Sequence, residues 1–327
     1  MNNLILTKKI LNWYDNNKRT LPWRKKCSQK QREYFTLVSE FMLQQTQVST
    51  VIPYFKNFIK NIPDLDSLAQ INKKKLLKYW EGLGYYSRVK NLKKTAKIVV
   101  SKYGKKLPIT LDELTKLPGI GEYTASAILA IAFNKPYIPL DGNIERVIKR
   151  LLNLKSKAGI SKENIIKQKK ILGTSDRSSD YAQALMELGA LICKPKKPLC
   201  EKCPLIKNCK SYKKQDFEIA VKSKKKIDKF FMVKIFTRGT KILLIKNTKF
   251  NFLKNLKIFP MEEIPKPKNL TKSLNFKMSN MNMNIDIKVM KGMSNIKNSS
   301  WIEQTKFNSY TLPTFTKKIF SSLSKYL

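Results

Sequence analysis

No histidine occurs in the 327 residues, so any metal site must be built from sulfur or carboxylate. Acidic side chains are scarce too: 23 Asp and Glu stand against 66 Lys and Arg, a formal net charge of +43. No apolar run is long enough to cross a bilayer, and no basic amphipathic anchor is visible. The N-terminal M-N-N-L-I-L-T-K-K-I-L-N-W-Y-D reaches an acid too soon for a secretory signal. The expected location is the cytoplasm, with no membrane partner. No repeat at a solenoid period is present. What remains is a globular chain, 42% hydrophobic, long enough for two domains. Its charge attracts polyanions, and phosphate backbones are the usual partner. An AT-rich genome, inflating Lys, Asn and Ile, contributes to the same excess.

Cysteines number only five, and four of them, Cys193, Cys200, Cys203 and Cys209, form C-x6-C-x2-C-x5-C. Cys27 lies far away without an obvious partner. Four soft ligands this close in sequence point to one metal centre. Disulfides are the alternative, disfavoured in a reducing cytosol. Structural zinc sites usually pair two C-x2-C knuckles across a longer loop. A lone C-x2-C flanked by gaps of six and five suits a single iron–sulfur cluster better.

Residues 4–210 read as mostly helical. L-T-K-K-I-L-N-W-Y-D-N-N, the long stretch E-Y-F-T-L-V-S-E-F-M-L-Q-Q-T-Q-V-S-T-V-I-P-Y-F-K-N-F-I, K-K-L-L-K-Y-W-E-G-L and Y-T-A-S-A-I-L-A-I-A-F carry apolar residues at three- and four-residue intervals. Residues 211–228 are basic and weakly apolar, as in a linker. Residues 229–327 change texture. F-F-M-V-K-I-F-T and T-K-I-L-L-I-K-N, joined by Arg238-Gly239, predict a hairpin, and M-N-I-D-I-K-V-M predicts another strand. A small α/β domain is expected there.

L-D-E-L-T-K-L-P-G-I-G-E-Y-T-A-S-A-I-L-A-I-A-F (111–133) predicts a helix, a tight turn and a second helix. Pro118 stops the first helix. Gly119 and Gly121 leave the turn open to close approach, so the amides of Gly119, Ile120 and Gly121 can face a phosphate oxygen. A plain helix–helix turn is the alternative. Asp141 follows twenty residues after Gly121, in P-L-D-G-N-I just before the apolar helix I-E-R-V-I-K-R-L-L. An N-cap alone would explain an Asp there.

Hairpin, Asp141 and four-cysteine cluster occur in an order and spacing that resembles the endonuclease III superfamily of helix-hairpin-helix DNA glycosylases, over residues 4–210. Within it, S-E-F-M-L-Q-Q-T-Q-V (39–48), G-L-G-Y-Y-S-R (82–88) and L-P-W-R (21–24) are similar to the adenine DNA glycosylases of the MutY type. The resemblance implies a mostly α, two-lobed helix-hairpin-helix domain (1–210) with one [4Fe-4S] cluster on the four cysteines. It further implies a linker (211–228) and a small α/β Nudix-like domain (229–327). The implied partner is double-stranded DNA containing adenine opposite 8-oxoguanine or guanine, bound by a monomer.

The chemistry needs two groups. Adenine must be protonated to leave, and the sugar then develops cationic character that a nearby negative charge stabilises. Glu40, in the apolar F-T-L-V-S-E-F-M-L, is desolvated and so suited to hold a proton. It matches the family's catalytic acid, and Asp141 matches the cation-stabilising partner. Asn143 fits a role in orienting Asp141, and Tyr123 fits assistance through its hydroxyl. Members that also cut the strand carry Lys where Tyr123 stands, so efficient lyase chemistry is not expected. Gln45 and Tyr85 match residues that fill the stack after base extrusion. Gln44 and Arg24 fit the pocket. Lys194, Lys196, Lys197 and Lys202, between the cysteines, fit a basic DNA-touching loop.

The C-terminal region departs from the family's pattern. The stretch between Pro260 and Phe276 is too short for the usual Nudix helix, and no Glu-rich Nudix box is present, which argues against nucleotide hydrolysis. Met278-Ser279-Asn280 stands where the family has a Phe-Ser-His lesion-reading loop. Ser279 can hydrogen-bond the lesion, but Asn280 cannot become cationic. Weakened but retained preference for 8-oxoguanine over guanine is expected. Two other readings are a relative of different base specificity and a non-catalytic iron–sulfur DNA-binding protein. The Glu40 context disfavours the first; the presence of both Glu40 and Asp141 disfavours the second.

Overall fold

The computed structural model describes residues 3–154, 162–218, 226–267, 274–278, 280–291 and 296–323. The chain packs as two compact units: residues 1–71 with 88–222, and residues 72–87 with 223–327. No described helix is long and apolar enough to cross a membrane.

The first unit is helical. At its centre lies the helix Glu122–Phe133, which is apolar on nearly every side and buried from Thr124 to Ala130. A helix hydrophobic all round belongs inside a bundle. It packs against the helices Gln29–Leu43 and Ser178–Glu187. A second core joins the helices Asn3–Asn17, Gly142–Leu152 and Ser178–Glu187 through Leu6, Ile10, Ile144, Ile148 and Leu185.

The apolar periodicity from Glu33 to Ile59 reads as one stretch, but it is two helices, Gln29–Leu43 and Val48–Asn61. The break has a physical cause. The buried Arg88 guanidinium donates to the carbonyls of Phe41 (3.1 Å), Met42 (2.7 Å) and Gln44 (2.6 Å), taking acceptors that a continuing helix would use. Gln45 follows in the left-handed region, φ 57°, and is exposed.

The second unit is built on a seven-stranded sheet: β1 Ile227–Arg238, β2 Lys241–Lys246, β3 Lys257–Ile258, β4 Met261–Ile264, β5 Leu274–Met278, β6 Met281–Lys291 and β7 Ser299–Glu303. The main order is β3-β2-β1-β6-β5, with β4 on β1 and β7 on β2. Among the described residues, only the β1–β6 pairing is parallel. The expected hairpin forms, with Gly239 at φ 55° between β1 and β2. Alternation along β1 sends Phe231, Val233 and Ile235 into a core closed by the helix Thr314–Ser322. Between Pro260 and Phe276, the described residues hold β4 and the start of β5 and no helix.

Candidate active site

Ser28 starts the Gln29–Leu43 helix with a capping box: its hydroxyl accepts the Gln31 amide (3.3 Å) and Gln31 reaches back to the Ser28 amide (3.4 Å). Three turns on, the helix carries Glu40 at 5% exposure. Burial raises the Glu40 carboxyl to about 7, and the charge of Asp141 adds to the rise. A hydrogen bond from the Tyr123 hydroxyl and the Arg24 charge oppose it. Tyr123 comes from the first turn of the central helix. Burial, then the Glu40 and Asp141 charges, push its own pKa well above the usual tyrosine value.

Asp141 caps the helix Gly142–Leu152. Its carboxylate accepts the amides of Asn143 (3.0 Å) and Ile144 (2.7 Å), and the Asn143 side chain donates to its second oxygen at 2.7 Å. Burial raises the Asp141 pKa, while these donors and the Arg146 charge hold it down. The N-cap and the functional reading therefore describe the same carboxylate. Arg146 continues the chain of bonds, donating to Asn143 Oδ1 (2.8 Å), the Gly189 carbonyl (2.7 Å) and the Cys193 carbonyl (2.7 Å). Gly189 is small of necessity: a Cβ there would meet the Asn143 Cβ at 2.7 Å.

Arg24 leads to residues that sequence reasoning missed. Pro22 opens a 3₁₀ turn, Pro22–Arg24, whose last residue donates to Glu187 at 2.8 Å. Arg19 donates to the same carboxylate at 2.8 and 3.1 Å, and Glu187 has no exposed surface. A carboxylate so buried requires paired cations. The signal was available: Glu187, in A-L-M-E-L-G, is flanked by apolar residues as Glu40 is. A cavity of about 920 Å³ uses Arg19, Trp23, Arg24 and Gln183 in its wall; Glu40, Tyr123 and Asp141 do not line it.

At the hairpin, Gly119 has φ 82° and no room for a side chain. A Cβ would lie 2.9 Å from Asn91 Cβ and from Phe41 Cε1. The Ile120 amide donates to the Leu117 carbonyl (3.1 Å), so it serves the turn itself, and its side chain is buried. Gly121 is exposed at the N-terminus of the central helix. Gln44 reaches the hairpin, donating to the Gly119 carbonyl at 3.4 Å. Tyr85 is 46% exposed and belongs to the second unit. Ser279 lies outside the described residues.

The four cysteines converge. Each of the six pairs among Cys193, Cys200, Cys203 and Cys209 interacts electrostatically, and burial raises the thiols of Cys200, Cys203 and Cys209, Cys203 to about 12. Buried Arg150 binds the loop, donating to the carbonyls of Lys194 (2.6 Å) and Pro195 (2.7 Å) and to Cys193 Sγ (3.5 Å). Lys194, Lys196, Lys197 and Lys202 are all exposed. Among the described residues, no three of His, Cys, Asp or Glu form a group that could hold a single metal ion. Four thiols brought together on one loop are an all-sulfur donor set, the ligand chemistry of an iron–sulfur cluster.

Residues 38–171 match the family described as HhH-GPD superfamily base excision DNA repair protein. The chain is 38% identical over 265 residues to the adenine DNA glycosylase of Buchnera aphidicola subsp. Schizaphis graminum, a match covering 78% of this chain and 74% of the relative. It is 38% identical over 220 residues to the human adenine DNA glycosylase, covering 64% of this chain and 40% of that longer protein. Among solved structures, a thermostable thymine-DNA glycosylase superposes with a TM-score of 0.57 at 27% identity, covering 65% of this chain and 97% of the other. An endonuclease III in a DNA complex gives 0.53 at 22% identity, covering 66% and 98%, a likeness of fold.

Proposed function

The chain belongs to the adenine DNA glycosylase family of the HhH-GPD superfamily, and we propose that it hydrolyses the N-glycosidic bond of adenine opposite 8-oxoguanine or guanine without cutting the strand. The observation that carries this reading is a pair of carboxylates in unlike environments, Glu40 buried and Asp141 half-buried. Glu40 is raised to about 7 and bonded by Tyr123; Asp141 is held by three hydrogen-bond donors. A desolvated carboxyl beside a carboxylate held by three donors can divide the roles of acid and charge stabiliser.

In this mechanism Glu40 gives its proton to the departing adenine. Asp141, kept anionic by the Asn143 and Ile144 amides and the Asn143 side chain, stabilises the positive charge growing on the sugar. Water then adds at the anomeric carbon through its oxygen and gives up a proton that returns the Glu40 carboxylate to its acid form. Tyr123 holds Glu40 through its hydroxyl, and Asn143 orients Asp141. A Schiff base needs an amine at the site. Tyr123 occupies the candidate position, and Lys135 lies beyond the far end of a helix about 18 Å long, donating to the Ile109 carbonyl.

Extruded adenine requires something to fill the stack. Gln45, exposed on its left-handed turn, and Tyr85 supply an amide and an aromatic plane. Gly119, Gly121 and the lysines of the cysteine loop supply phosphate contacts, and the net charge of +43 draws the duplex in. Cys193, Cys200, Cys203 and Cys209 would hold one [4Fe-4S] cluster. Bound there, it cross-links a DNA-contacting loop and contributes no bond breaking, since glycosidic hydrolysis moves no electrons. Residues 1–210, apart from the 72–87 segment that packs with the sheet, serve as the glycosylase domain, 211–228 as the linker ahead of and into β1, and 229–327 as a reduced Nudix-like domain that reads the lesion, with Ser279 as donor or acceptor. The protein acts as a monomer on an asymmetric lesion. A duplex holding adenine opposite 8-oxoguanine, incubated with purified protein and then split into alkali-treated and untreated halves, tests the reading. Breaks in the treated half alone are expected; equal breaks in both would overturn the no-lyase assignment.

A further inference from the structure

We propose that Glu81 is a positioning residue through which the C-terminal end of the chain sets the loop presenting Tyr85. The proposal rests on the reading of Tyr85 as a side chain that fills the DNA stack. Its starting observation is the company this loop keeps. Residues 72–87 belong to the compact unit of the sheet, although the chain on both sides of them belongs to the helical unit.

The loop is held in an unusual backbone state. Gly82 and Gly84 have φ 98° and 75°, and Tyr85 follows at 47°. A tyrosine adopts the left-handed region only where its surroundings hold it there. One hold is local: the fully buried Trp80 donates from its indole to the Gly84 carbonyl at 3.0 Å. The other crosses 231 residues of sequence. Glu81, immediately before Gly82, accepts the Leu312 amide at 3.0 Å on the carboxylate oxygen that also meets Lys317 Nζ at 2.7 Å. Its other oxygen meets Lys78 Nζ at 2.7 Å, and Lys78 also donates to the Asn308 carbonyl at 3.4 Å.

The Glu81 side chain is only 10% exposed. Its partners are anchored in turn. Leu312 is fully buried, and Lys317 lies on the helix Thr314–Ser322, whose Phe315 and Ile319 enter the core of the sheet. Three bonds, from Leu312, from Lys317 and to Asn308, thus tie the chain just before Gly82 to residues 308–317, and the Lys78–Glu81 pair braces them locally. Tyr85 itself is 46% exposed on a left-handed backbone. The C-terminal unit then acts on the duplex in a second way, by setting the loop that fills the stack.

A double-mutant cycle tests this, because a positioning residue acts through the residue it positions while a merely structural one acts independently. The substrate is a duplex with adenine opposite 8-oxoguanine under single-turnover conditions, with 2-aminopurine beside the estranged base to report unstacking. Tyr85→Ala is expected to slow excision by about tenfold, the scale of one lost base–aromatic stack. Glu81→Gln, which keeps an acceptor for Leu312 but loses the charge, is expected to slow it about fivefold and to lower the 2-aminopurine signal. In the Tyr85→Ala background, Glu81→Gln should cost less than about twofold more. Lys317→Met is a milder variant that should shift rate and signal the same way, and it keeps the test open should Glu81→Gln not fold. Multiplying effects, or a wild-type rate for Glu81→Gln, would overturn the proposal while leaving Tyr85 in its role. A silent Tyr85→Ala would instead remove that role, and the positioning proposal with it.

Discussion

Glu40→Gln should stabilise the folded protein, and the gain should grow with pH. An unfolded glutamate ionises near 4.5, whereas burial beside Asp141 moves Glu40 to about 7. Between these values the folded state keeps a proton that the unfolded state has released. Raising the pH through this window therefore favours unfolding. The gap corresponds to about 3 kcal/mol, fully expressed above pH 7 and absent below pH 4.5. Glutamine carries no charge at any pH, accepts the same Tyr123 hydroxyl, and occupies nearly the same volume. The difference in unfolding free energy between variant and parent should thus rise by about 3 kcal/mol from pH 4.5 to 8, a large share of a typical domain's stability. Urea unfolding followed by circular dichroism at four or five pH values measures it. A difference that stays flat within about 0.5 kcal/mol would show that Glu40 is not held in a desolvated site.

Gly189→Ala should slow excision without touching either carboxylate. The added Cβ would fall 2.7 Å from Asn143 Cβ, and a displacement of Asn143 by about 1 Å misplaces Asp141, at a cost of about 100-fold in turnover with little change in DNA affinity. Borohydride should trap no covalent complex with the parent protein, whereas Tyr123→Lys should yield a trappable imine if its amine reaches the sugar; trapping of the parent would refute the single-function mechanism. The purified protein should contain about four iron atoms per chain and visible thiolate-to-iron absorbance, both reduced in Cys203→Ser. Zinc in place of iron would overturn the cluster assignment.

Glu40 and Asp141 were legible because each sits in a telling local context. An acid inside F-T-L-V-S-E-F-M-L must be buried, and an Asp one residue before an apolar helix must cap it. What escaped the sequence depends on partners far along the chain. Glu187 shares the context of Glu40, but its meaning comes from Arg19 and Arg24, more than 160 residues away. The break at Gln44–Gln47 is made by Arg88, which periodicity within the helix cannot register. The hairpin glycines were read for openness toward phosphate, yet Gly119 is confined by Phe41 and Asn91. The placement of residues 72–87 with the sheet rests on Glu81, Leu312 and Lys317, and no local pattern announces it.

The central claim is that Glu40 delivers the proton that releases adenine. The most direct measurement is the single-turnover excision rate of parent and Glu40→Gln across pH 5.5 to 9 on a duplex with adenine opposite 8-oxoguanine. The account predicts a parent rate that falls as pH rises through about 7, where Glu40 loses its proton. It also predicts a variant slower by at least about 100-fold with no such fall. A variant that keeps near-parental turnover, or one that retains the same fall near pH 7, would contradict it.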